Sequence, residues 1–61
     1  MDKEQLKFHA FQLARGIAKE YDEMADFMDA GNVNGENICF EIAQDKEEQL
    51  KKIKAQIKEL S

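Results

Sequence analysis

The sequence predicts an all-α protein: an antiparallel helical hairpin that pairs with a second copy into a four-helix bundle. Three observations predict it. Two stretches of about 25 residues contain no proline and are rich in strong helix formers. Only one Asn- and Gly-rich segment lies between them. In both stretches the apolar residues recur at three- and four-residue spacing, the period of a helix.

The first helix is expected over about 2–29. Asp2 suits its N-cap, and Gln5 completes the capping-box spacing. With Ala10, Ile17 and Met24 at heptad position a, residues Leu6, Leu13 and Phe27 fall at d. Ala14, Tyr21 and Met28 then fall at e, and Phe11, Ala18 and Ala25 at b. These four positions are contiguous around the helix, so the apolar arc covers about half of the circumference. That is wider than one facing helix covers. Gly31 suits the left-handed residue after the helix end.

The turn is expected over about 30–36, where Gly31-Asn32-Val33-Asn34-Gly35 favours positive φ and local side-chain turns. Asn34 or Asn37 can cap the second helix, expected over about 36–60. Its stripe is narrower: Ala43, Leu50 and Ile57 at a, Cys39, Ile53 and Leu60 at d, with Lys46 interrupting the seam. Such a hairpin leaves half of the first helix's arc uncovered. Self-association is the economical remedy, through Leu6, Ala10, Leu13, Ile17, Tyr21, Met24, Met28, Leu50, Ile53 and Ile57.

At 61 residues the chain is one small domain. One cysteine and one histidine exclude an internal disulfide and a His-His metal motif. A net charge of −4 argues against nucleic-acid binding. No apolar run has the length of a membrane span or of a signal-peptide core, so a cytoplasmic protein is expected.

The charges are unevenly placed. Residues 20–45 hold Glu20, Asp22, Glu23, Asp26, Asp29, Glu36, Glu41 and Asp45, and no Lys or Arg. The flanking segments are both net basic. In a hairpin the acids gather at the loop end, several of them at a helix C-terminus that disfavours them. The acids can be a merely solvating face. They can also be a docking tip for a partner with a basic surface, formed by Asp22, Glu23, Asp26, Phe27, Asp29, Glu36, Phe40 and Glu41. Charges of this kind can mimic nucleic acid, although mimics usually carry them along their whole length.

Catalytic chemistry finds no support. The only Ser is Ser61, Thr is absent, and there is no Gly-rich phosphate loop. His9 has no Glu or Asp three residues before it, which the di-metal bundle motif requires. With Gly35 at position six of a calcium loop, Asn32, Asn34 and Glu41 fit positions three, five and twelve. Ala30 at position one and Asn37 at position eight do not. Cys39 is expected in the first turn of the second helix, as a small buried apolar residue.

The expectation is a non-enzymatic interaction module with no cofactor and no metal. It is a homodimer that binds another protein as a regulator or inhibitor, a class that includes phage-encoded inhibitors of host proteins. The alternatives are a sponge for a small ligand or nucleotide at the dimer seam, a nucleic-acid mimic, and a degenerate EF-hand-like calcium binder.

Overall fold

The turn between the helices is shorter than expected, and its hydrogen bonds give the reason. In the computed structural model, which describes residues 2–60, α1 runs Lys3–Asp29 and α2 runs Val33–Glu59. Only Ala30, Gly31 and Asn32 join them. Gly31 adopts φ 72°. Its N–H donates to the Met28 carbonyl at 3.1 Å, and the Asn32 N–H donates to the Phe27 carbonyl at 2.8 Å. Those two bonds make a Schellman cap, which requires the left-handed glycine.

Asn32 then serves the second helix. Its Oδ1 accepts the Gly35 N–H at 3.0 Å, the bond of a helix N-cap. One residue therefore closes α1 and opens α2. The expected start near Glu36, capped by Asn34 or Asn37, is corrected to Val33 capped by Asn32. Residues 33–41 are helical, so no twelve-residue calcium loop exists there. Cys39 moves from the first turn of α2 into its second, beyond the short reach of the helix dipole.

The capping box at the start of α1 is present as expected. Asp2 Oδ1 accepts the Gln5 N–H at 2.8 Å, and Gln5 Oε1 accepts the Asp2 N–H at 3.0 Å. Two donors that a helix start leaves without partners are satisfied.

The helices pack antiparallel into a rod whose principal extents are 45 × 14 × 13 Å. Each helix has 27 residues, about 40 Å at the α-helical rise. The buried apolar core is thin: Leu6 and Leu13 from α1, Cys39 and Ala43 from α2. Two helices enclose one seam and no more. Phe8, Phe11, Met28, Val33, Ile38, Phe40, Ile42 and Leu60 stay exposed. The chain presents 4694 Å² to solvent, against about 4,000 Å² for a compact monomer of its mass. No helix among the described residues is long and apolar enough to cross a membrane.

Candidate functional site

The loop end carries the acids, as the charge pattern implies, and the structure divides them into two groups. Asp22, Asp26, Asp29 and Glu41 are exposed, together with Phe40. Glu23, Phe27 and Glu36 are half-buried. Phe27 lies against Gly35: a Cβ added at Gly35 would come within 2.5 Å of the ring. The glycine lets the ring sit directly on the first turn of α2, which holds the loop end shut.

Of the second group, Glu23 belongs to a polar cluster inside the seam. Oxygens of Glu20 and Glu23 and the Cys39 sulfur all lie within 4.8 Å of one another. Lys46 Nζ reaches Glu20 Oε1 at 3.9 Å, with the Glu20 side chain only 14% exposed and that of Lys46 33%. The ammonium supplies the positive charge that two neighbouring carboxylates need in a partly dry seam. Gly16 makes room for it, because a Cβ there would meet Lys46 Nζ at 2.9 Å.

Burial pushes the Cys39 thiol pKa up, and the charge and hydrogen bonding of Glu20 and the charge of Glu23 push it further. A thiol held protonated in this way is a poor nucleophile. Next along the seam, Tyr21 donates its hydroxyl to Glu47 Oε1 at 3.1 Å. Gln44 Nε2 donates to the other oxygen of Glu47 at 3.3 Å. The hydrogen bond to Glu47, then burial, then the Glu47 charge raise the Tyr21 pKa.

This cluster is the part of the site that sequence reasoning did not assemble. One signal was present: Glu20 falls at d of the first helix, as Lys46 interrupts the stripe of the second. An acid and a base at seam positions of facing helices are mutual compensation once the helices are in register.

The residues expected to join two copies are also divided. Leu6 and Leu13 are buried within the single hairpin. Ala10, Ile17, Tyr21, Met24, Leu50, Ile53 and Ile57 are half-buried, and Met28 is exposed. A groove between the helices is lined by Ala14, Ile17, Glu47, Leu50, Lys51 and Lys54. His9, also half-buried, has a buried Nδ1 with no hydrogen-bond partner among the described residues. Comparison of the chain with family models, with curated proteins and with solved structures found no match.

Proposed function

We propose that this protein is a non-enzymatic interaction module, a small regulator or inhibitor of another protein. It docks through its acidic loop end and an apolar helix face. The observation that carries this reading is the company the exposed acids keep. Asp22, Asp26, Asp29 and Glu41 share the loop end with exposed Met28, Val33 and Phe40. An adaptable Met and Phe surface rimmed by carboxylates suits a partner whose apolar patch is bordered by Lys or Arg.

The open end of the rod, with Lys3, Lys7, Lys51, Lys54 and Lys58, is oppositely charged, and its exposed aromatics, Phe8 and Phe11, both lie on α1. Two hairpins pair in this reading, each covering apolar surface of the other. The excess of exposed area over that of a compact monomer supports the pairing. A chain with so thin a core gains most from a second copy.

Affinity capture from the native host at low and moderate salt tests the docking role. The wild type is compared with Asp26→Lys/Asp29→Lys/Glu41→Lys. A partner held by the wild type, released by salt and lost in the variant is the expected result. Equal capture by both proteins overturns the acidic docking tip.

A further inference from the structure

Helix α1 carries a second heptad stripe that α2 leaves mostly uncovered, touching it at Tyr21 through Glu47. Phe11, Ala14, Ala18, Tyr21, Ala25 and Met28 follow one another at alternating three- and four-residue steps, the spacing of a coiled-coil stripe. All but the half-buried Tyr21 are exposed, Phe11 at 55% and Met28 at 54%. The stripe shares Ala14 with the groove between the helices, so it continues the half-buried flank of the hairpin.

We propose that this stripe is the surface that binds a second copy of the chain, with the two α1 helices antiparallel. The inference rests on the two-hairpin reading above and adds the face and the direction of the contact. Charge decides the direction. Arg15 and Asp22 stand seven residues apart along the solvent edge of the stripe. Arg15 lies over the Phe11 ring at 5.8 Å and pairs with no carboxylate among the described residues.

An antiparallel copy, related by a two-fold axis near Ala18, sets Arg15 beside Asp22 of the partner subunit, twice by symmetry. It also sets the acidic loop end of each hairpin beside the lysine-rich open end of the other. A parallel copy does the reverse, placing Asp22 against the partner's Asp22 and crowding two acidic tips at one end. Like charges brought together in this way oppose association.

Shape agrees with charge. The antiparallel arrangement places the bulky Phe11 end of one stripe beside the Ala25 and Met28 end of the other. The alanines between let the helix axes approach closely. Area agrees as well. The chain exposes 4694 Å², about 650 Å² more than a compact monomer of its mass, and a standard interface takes about 800 Å² from each partner. The consequence for function is two equivalent acidic docking tips, one at each end of the dimer.

Sedimentation equilibrium and a spin-label distance test this together. In a Cys39→Ala background, Asn34→Cys places one nitroxide at the exposed loop end. With its two-fold near Ala18, an antiparallel dimer separates the two labels by about 35 Å, from the helical rise between that axis and each loop end and the lateral offset of the helices; a parallel one brings them to about 20 Å, two interhelical spacings. A dimer with the long distance is expected. A dimer with the short distance overturns the antiparallel contact and leaves the dimer reading standing. A monomer at every accessible concentration overturns both.

Ala18→Glu, at the centre of the stripe and outside the hairpin seam, is expected to give a monomer. A variant that stays dimeric shows that the stripe is not the interface. Because Ala18→Glu can also unfold a chain that needs its partner, the charge swap provides the second arm. Arg15→Glu is expected to weaken the dimer about tenfold, and Arg15→Glu/Asp22→Arg to restore it. A swap no tighter than Arg15→Glu alone overturns the pairing.

Discussion

Gly16 of α1 faces the ammonium of Lys46 on α2, at a distance that a methyl group would reduce to 2.9 Å. The missing side chain on one helix is filled by a long one from the other. Lys46 crosses that gap to reach Glu20, and the polar cluster of the seam depends on the fit. Gly16→Ala gains about 1 kcal/mol in helix propensity, but displaces the tip of Lys46 from Glu20. The expected net change is within about 0.5 kcal/mol of zero. In a Lys46→Ala background the same substitution is expected to deliver the full gain. A double-mutant cycle in urea measures the difference as coupling.

Gly35 faces something stiffer. A Cβ there would lie 2.5 Å from the Phe27 ring, which cannot swing aside as a lysine tip does. Overpacking of this kind costs about 1–3 kcal/mol. Gly35→Ala is therefore expected to lower the urea midpoint although alanine is the better helix former. Phe27→Leu/Gly35→Ala is expected to recover part of the loss. If Gly35→Ala alone stabilises the hairpin, the ring does not press on that turn.

The turn yields a sharper comparison. Asn32→Ala removes the side chain that caps α2 and is expected to cost about 1 kcal/mol. Gly31→Ala forces a side chain into the left-handed region, at about 1–2 kcal/mol. Asn34→Ala, exposed and already inside the helix, is expected to stay within about 0.5 kcal/mol of the wild type. Thermal melts followed by circular dichroism separate these values. An Asn34 effect as large as that of Asn32 would move the cap back to the position suggested by sequence spacing.

Two groups make the hairpin sensitive to alkali. Cys39 and Tyr21 both have pKa values raised by folding, the first mainly by burial and the second mainly by its hydrogen bond to Glu47. A raised pKa means the folded state holds its proton more tightly than the unfolded chain does. The stability it contributes is complete below the unfolded values, about 8.5 for a thiol and about 10 for a phenol. It is lost as pH rises through the folded values. Urea midpoints are expected to fall above about pH 9, and to fall less in Cys39→Ala/Tyr21→Phe. Disulfide-exchange reagents are expected to modify Cys39 slowly in the native protein and quickly in urea.

The acidic tip is expected to trade stability for binding. Asp26 and Asp29 are exposed in the last turn of α1, where no basic residue offsets the dipole. Replacing both by Lys is expected to add about 0.3–1 kcal/mol per site at low salt. If the tip docks a basic surface, the same protein loses its partner, chiefly through a slower association rate. A variant that gains stability and keeps its partner would leave these acids a solvating role alone.

Sequence by itself determined the two helices, because helix periodicity and capping are local. Residues three and four apart share a face whatever the rest of the chain does. Asp2 and Gln5 make their capping box within one turn, and Gly31 ends α1 at the expected place. The start of α2 is ambiguous in the sequence because several Asn residues could each cap it. Which one does depends on the Schellman bonds that Gly31 and Asn32 make back to α1. The tertiary structure decided the pairings across the seam: Gly16 with Lys46, Phe27 with Gly35, and Glu20 and Glu23 with Cys39. A glycine in a helix reads as a weak point, and a lysine in an apolar stripe as an interruption. Each becomes a fitted part only when antiparallel packing sets the register, and register depends on contacts between residues far apart in the chain.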